Sequence, residues 1–239
     1  MIELLVRNLE ARDTLSSSEI GILQRIIKND RLVPKGGDIV VEGSRPAEST
    51  LLLDGFAARY RVLEDGKRQI TALHVPGDFV DLHAFLLKTM DHGVLALSEC
   101  KIATAAHRDL GGVTATNAHL TRLLWLSTVI DGAIHREWIV AMGRRSKRSH
   151  LAHLICELFS RLSIVGMVEE NTIRLPLSQA EVADVLGLSL VHLNKTLQTL
   201  RADGLIRWVD HQITVLDWGE LSQIAEFDPA YLCLNREAR

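Results

Sequence analysis

The stretch LPLSQAEVADVLGLSLVHLNKTLQTLRADGLI (175–206) leaves this chain little freedom of local fold. Ser178 followed by Glu181 is a capping box, so a helix starts there and runs to about Leu186. Gly187 supplies a left-handed turn that a residue with a Cβ resists. Ser189 caps a second helix from Leu190 to about Ala202, which Asp203-Gly204 stops. Counted from Gln179, the small Ala183 is fifth, where two helices cross closely; Gly187 is ninth and the apolar anchor Leu193 is fifteenth. That spacing is a helix-turn-helix. The segment IRWVDHQITVL (206–216) then reads as two short strands about Asp210-His211, a wing, and Trp218 to Phe227 can form a closing helix.

In such a unit the N-terminal half of the second helix meets base edges in the major groove. Leu193, Leu197 and Leu200 share the face toward the core, which leaves Leu190, Val191, Asn194, Lys195 and Gln198 outward. Lys195 suits guanine or phosphate, Asn194 suits adenine, and Leu190 and Val191 suit thymine methyl groups. Ser178, Gln179, Ser189 and His192 lie where hydroxyl, amide and imidazole groups meet phosphate. For His192 and Gln198 plain solvation is the competing reading. Arg144, Arg145, Lys147 and Arg148 read as a solvated helix start, with neutralisation of DNA as the alternative.

Upstream the texture changes twice. Residues 1–32 are helical in pattern: Ser16-Ser17-Ser18-Glu19 can cap a helix with Ile20, Leu23, Ile26 and Ile27 on one face. From Val33 to Leu110, short runs such as IVV (39–41), STLLL (49–53), ARYRVL (58–63) and QITALHV (69–75) alternate with Gly-Gly-Asp, Glu-Gly, Asp-Gly and Pro-Gly-Asp turns. Strands so spaced predict an antiparallel β-roll of jelly-roll or cupin-like type. From Asn117 to Ala141, Leu120, Leu123, Ser127, Ile130, Ile134 and Ala141 fall at coiled-coil spacing. A helix of some 25 residues spans about 37 Å, too long for one small barrel, so this seam is assigned to self-association, with a core helix as the alternative. Gly143 is expected to end that helix, and RRSKR (144–148) to open the next, with Leu151, Leu154, Ile155, Leu158 and Leu162 on one face. The expected fold is α+β: a sensor-type roll with N-terminal helices (1–116), a dimerisation helix (117–142) and a winged helix-turn-helix DNA-binding domain (143–239).

Composition bears on compartment and cofactor. No apolar run approaches the roughly 20 residues that cross a bilayer, and MIELLVRNLEARDTLS carries acids where a signal peptide is basic and then apolar. A cytoplasmic protein is expected. Cys100, Cys156 and Cys233 are far apart in sequence and odd in number, so neither a disulfide framework nor a clustered iron–sulfur site is indicated. A net charge of −3 requires any DNA-binding charge to be local.

The glycine-punctuated roll, the long helix and the C-terminal winged helix-turn-helix together resemble the Crp/Fnr family of bacterial transcription regulators over nearly the whole chain. The turns GGD (36–38), EG (42–43), DG (54–55) and PGDF (76–79) fall in that family's order. The resemblance implies a homodimer on a two-fold symmetric site in double-stranded DNA, in contact with RNA polymerase. The family's recognition helix typically opens Ser-Arg-Glu, whereas this one opens Ser189-Leu190-Val191, so its half-site should differ. Members that hold cyclic nucleotides carry Gly-Glu-Leu after PGDF, for the ribose, and an Arg-Ser pair about ten residues on, for the phosphate. Here Asp81-Leu82-His83 and His92-Gly93-Val94 stand in those places, and no arginine lies between Arg68 and Arg108. A phosphodiester needs cations or clustered N–H donors, so a cyclic nucleotide is not the expected effector. Asp81, Leu82, His83 and His92 are the effector-pocket candidates. No cofactor is expected, although haem-binding members resemble this stretch in placing a histidine where His83 lies, which makes a haem- or metal-dependent sensor using His83 the alternative, with His83 as candidate haem ligand.

Two other function classes compete with this reading. A cupin-like metalloenzyme needs His-x-His and further ligands on neighbouring strands, and the β-region has no such pair; no Ser/His/Asp pattern appears either, so the chain is not expected to be an enzyme. A protein-interaction module without DNA binding is the other, encouraged by the apolar Leu190-Val191.

Overall fold

The computed structural model describes residues 1–238. Helices α1 (Glu3–Glu10) and α2 (Ser17–Ile26) open the chain, and Ser16 with Glu19 forms the expected capping box. Seven strands follow: β1 (Ile27–Val33), β2 (Asp38–Val40), β3 (Glu48–Asp54), β4 (Ala57–Val62), β5 (Arg68–His74), β6 (Gly93–Ala96) and β7 (Cys100–Ala106), with the short α3 (Ala84–Leu87) between β5 and β6. The helical pattern therefore stops earlier than the sequence suggested. Ile27 opens a strand, because pairing of β1 with β7 offers its backbone a ladder that isolated periodicity cannot reveal.

The strands form two antiparallel sheets, β1-β7-β3 and β2-β6-β4-β5. Val40, Leu52, Ala57, Val80, Val94 and Ile102 are among the residues buried in the roll, each within 6% of full burial. Gly55 allows β3 to turn into β4: its φ is +88°, and a Cβ there would lie 2.3 Å from the Glu99 carbonyl oxygen.

Helix α4 (His107–Thr116) leads into α5 (Ala118–Arg144), whose Asn117 cap accepts the Leu120 N–H. Gly143 does not end α5. The break falls at Arg145, and Ser146 caps α6 (Lys147–Ile164) by accepting the Ser149 N–H. A single glycine costs a helix about 1 kcal/mol, which a 27-residue helix tolerates.

The self-association seam is corrected by the structure. Leu120 and Leu123 are buried with α1 and α2; Ile130 and Ile134 are buried with the roll and α6; Ala141 is 1% exposed and Ser127 half-buried, its hydroxyl bonded to the Leu123 carbonyl. This face of α5 is consumed by its own chain. A more exposed face lies two positions further on, about 200° around the helix: Ala118, Arg122, Trp125, Val129, Gly132, Arg136, Ile139 and Gly143 recur at alternating spacings of four and three. Trp125, Val129 and Ile139 are 68%, 48% and 66% exposed.

The C-terminal part comprises β8 (Thr172–Arg174), α7 (Gln179–Leu186), α8 (Leu190–Ala202), β9 (Ile206–Val209), β10 (Gln212–Val215) and α9 (Trp218–Ala225), followed by a 3₁₀ turn at Pro229–Leu232. Strands β8-β10-β9 form a third antiparallel sheet. The β8 strand was not foreseen in the sequence. No helix among the described residues is long and apolar enough to cross a membrane.

Candidate nucleic-acid interface

The helix-turn-helix is built by local chemistry. Ser178 accepts the Glu181 N–H while the Glu181 carboxylate accepts the Ser178 N–H, so the first turn of α7 is capped from both sides. Gly187 ends α7 at φ +61°. Ser189 caps α8 by accepting the His192 N–H, and its hydroxyl lies 3.0 Å from His192 Nδ1. Ala183, Leu193, Leu197 and Leu200 are all buried where the two helices meet α6 and the wing. At about 1.5–3 kcal/mol per buried leucine, this side fixes which face of α8 turns outward.

The outward face carries the candidates. Leu190 is 46% and Val191 77% exposed; His192, Lys195 and Gln198 are exposed, and Asn194 is half-buried. Ser178, Gln179 and Ser189 are exposed at the N-termini of α7 and α8, where backbone N–H groups and helix dipoles favour phosphate. Ser178 and Gln179 border a groove closed on the far side by Arg201 and the wing tip, Asp210 and His211, which form a tight turn at φ +46° and +63°. Arg201 donates to the Trp208 carbonyl and so holds the wing against α8. Of the basic cluster, Arg145 pairs with Glu137 at 3.1 Å and Arg148 with Asp203 at 2.5 Å, while Arg144 and Lys147 stay exposed.

The roll candidates separate. Asp81 is 1% exposed and accepts from the Thr50 N–H and hydroxyl; burial pushes its carboxyl up to about 7 against those bonds. Leu82 packs with the cluster of α1 and α2. Both brace the Pro-Gly-Asp bend, and this corrects their assignment to an effector pocket. His83 and His92 do line a hollow of about 370 Å³ between the roll and α5. Their ring centroids are 5.1 Å apart, His92 Nδ1 lies 2.7 Å from an Asp91 oxygen, and both Nε2 atoms lack partners. Burial holds the His83 imidazole down at about 4.

Arg59 of β4 and Asp131 and His135 of α5 complete the hollow. The Arg59 guanidinium donates to Asp131 at 3.0 Å and meets His135 Nε2 at 2.9 Å. Burial works to raise the Asp131 carboxyl, but Arg59 and the neighbouring imidazoles outweigh it and hold it at about 2. Sequence reasoning passed over Arg59, although arginines at 59 and 61 within a strand place two cations on one face. Among the described residues, no three His, Cys, Asp or Glu side chains converge as metal ligands.

Comparison with known proteins agrees with this division of labour. Residues 30–117 match the model of the cyclic nucleotide-binding domain, and residues 149–224 match that of the Crp-like helix-turn-helix domain. The chain belongs to the Crp/Fnr family of transcription regulators. It is 27% identical over 193 residues to the transcriptional activator protein FnrL of Cereibacter sphaeroides, covering 80% of this chain and 77% of that protein. It is 26% identical over 174 residues to the nitrogen fixation regulation protein FixK of Bradyrhizobium diazoefficiens, covering 73% and 72%. Among solved structures, FixK2 from Bradyrhizobium japonicum superimposes with a TM-score of 0.75 at 21% identity, covering 82% of this chain and 96% of that one. That likeness concerns the fold.

As a Crp/Fnr protein the chain is a DNA-binding transcription regulator and not an enzyme. The α+β architecture, roll first and winged helix-turn-helix last, is that of the family.

Proposed function

We propose that the chain works as a homodimer, reading a two-fold symmetric DNA site with one α8 helix in the major groove of each half-site. The observation that carries this is the outward face of α8, where Leu190, Val191, Lys195 and Gln198 stand exposed on a helix whose other face is buried. Lys195 is the base or phosphate contact, with Asn194 and Gln198 beside it, and Leu190 and Val191 select thymine methyl groups. Ser178, Gln179, Ser189 and His192 hold the backbone, and Arg144 and Lys147 add charge at the rim. Residues 1–116 form the sensor, 117–142 the dimerisation helix and 143–239 the DNA-binding head. The two copies meet along Trp125, Val129, Gly132 and Ile139, because Trp125, Val129 and Ile139 are exposed and the stripe keeps a heptad repeat. Such a dimer acts in the cytoplasm and contacts RNA polymerase.

The effector seat is the hollow beside His83 and His92, and its ligand is not a cyclic nucleotide held in the family's usual manner. Asp81 is spent on Thr50, and His92 stands where the phosphate-binding pair would be. Haem does not fit. The hollow is walled by Arg59, Arg61, Asp91 and Asp131 and offers no apolar slot for a macrocycle, while His83 packs on His92.

Selection of bound sequences from random DNA tests the reading. The expected product is an inverted repeat with half-site centres one helical turn apart. Recovery of no preferred sequence contradicts it and favours an interaction module.

A further inference from the structure

Beyond α9 the chain leaves the DNA-binding head and returns to the N-terminal helix. Asp228 caps the 3₁₀ turn by accepting the Ala230 N–H, and Leu232 is fully buried. The Glu237 N–H then donates to the Arg12 carbonyl at 2.9 Å, and Arg236 Nε donates to the Glu10 carbonyl. Residues 229–237 thus strap the head to the end of α1 and the segment that follows it.

Beneath the strap, hydrogen bonds close a ring between the N-terminal part and the head, and Trp138 of α5 donates to the ring's Glu157 at 3.1 Å. Arg12 Nη2 donates to the Leu232 carbonyl at 3.0 Å, and Arg12 Nη1 donates to Asn8 Oδ1 at 2.7 Å. Asn8 Nδ2 donates to Asp78 Oδ1 at 3.1 Å. Asp78, in the Pro-Gly-Asp turn of the roll, accepts from Arg161 Nη2 of α6 at 2.7 Å. Arg161 Nη1 donates to Glu157 Oε1 at 3.2 Å, and Tyr231 of the strap returns a hydroxyl to Glu157 Oε2 at 3.0 Å. Arg12, Glu157 and Arg161 are 5%, 0% and 8% exposed. A buried ionic network of this kind contributes little net stability over apolar packing, yet it penalises every arrangement that leaves a member unpaired. The other head-to-roll ion pairs, Arg68–Asp184 and Lys35–Glu181, are partly solvated and discriminate less.

We infer that this ring positions the DNA-binding head: Tyr231, Glu157, Arg161 and Asp78 act as positioning residues that fix α8 relative to the roll and α5. None of the ring residues lies on α7 or α8, and the outward face of α8 stays exposed. The ring therefore fixes orientation without covering the reading surface. The inference rests on the homodimer reading, since two rigidly held heads demand one half-site spacing, whereas two loosely held heads tolerate several.

The test compares the full chain, Tyr231→Phe and a chain ending at Asp228, each titrated against the selected DNA site and against that site with one base pair inserted between half-sites. The full chain is expected to lose about tenfold or more on insertion. The two variants should lose less than about threefold, and should bind the unaltered site about threefold to tenfold more weakly, because the heads must be ordered on binding. A general loss of stability would not relax spacing. If both variants discriminate spacing as the full chain does, the inference is overturned. If sedimentation finds the full chain monomeric, the homodimer reading fails, and the ring is judged by trypsin cleavage in the 144–148 link. Faster cleavage in Tyr231→Phe then supports the ring, and an unchanged rate overturns it.

Discussion

Lys195 is the one cation on the outward face of α8, and the capping of that helix does not depend on it. Lys195→Ala is expected to weaken binding to the selected site by about 1–3 kcal/mol, roughly five- to 150-fold, with circular dichroism unchanged. Equal affinity in a titration would remove Lys195 from the interface. At this scale the sequence was legible wherever a residue's role is set by its neighbours in the chain. Ser178, Gly187 and Ser189 are forced by caps and a left-handed turn, and they stand where the spacing put them. Asp81 was not legible, since its partner Thr50 comes from a distant strand and decides that the carboxylate braces a bend. Arg59 was missed for the same reason: Asp131 and His135 reach it from α5.

Among the elements, α5 shows how periodicity can be right about a helix and wrong about its partner. Leu120, Leu123, Ile130 and Ile134 do share a face, but hydrophobic spacing cannot say whether a copy of the chain or the chain itself covers it. The opposite stripe mixes Trp125, Val129 and Ile139 with Arg122, Gly132 and Arg136, which weakens its apolar signal. Val129→Glu is expected to convert the protein to a monomer in sedimentation, because a charge would be buried unpaired in the interface. Leu123→Ala acts differently: it opens a cavity worth about 2–5 kcal/mol and lowers the melting temperature while the dimer persists. A Val129→Glu protein that stays dimeric would move the interface off this stripe. The β8 strand and the 3₁₀ strap escaped sequence reading because each is stabilised mainly by its neighbours, β10 for the one and Arg12, α5 and α6 for the other.

For the whole molecule, buried histidines set the response to acid. Burial lowers the imidazoles of His74, His83, His150 and His153, the last three to about 4, 4 and 3. Their folded values lie below the unfolded value near 6.5, so on acidification the unfolded chain takes up protons first. Stability present above about pH 6.5 is lost as pH falls toward 4. Asp81 acts in the opposite sense: raised to about 7, it favours the folded state at low pH and loses that contribution as pH rises through 7. Burial also lowers the His92 imidazole and raises the Glu157 carboxyl, so the imidazoles outnumber the carboxyls. The melting temperature is expected to drop by about 5–10 °C between pH 7 and pH 5, and a flat profile in calorimetry would contradict the neutral, buried assignment.

A protein with a net charge of −3 binds DNA only by presenting cations and helix N-termini locally, so counterion release is the sharpest test of the interface. The decisive measurement is the affinity for the selected site across a salt series. With about six to ten phosphates contacted by a dimer, log K should fall linearly with log salt at a slope of roughly −5 to −9. A scrambled sequence should bind at least about a thousandfold more weakly at the same salt. A slope near zero, or equal affinity for the scrambled sequence, would contradict the assignment of α8 as a DNA-reading helix.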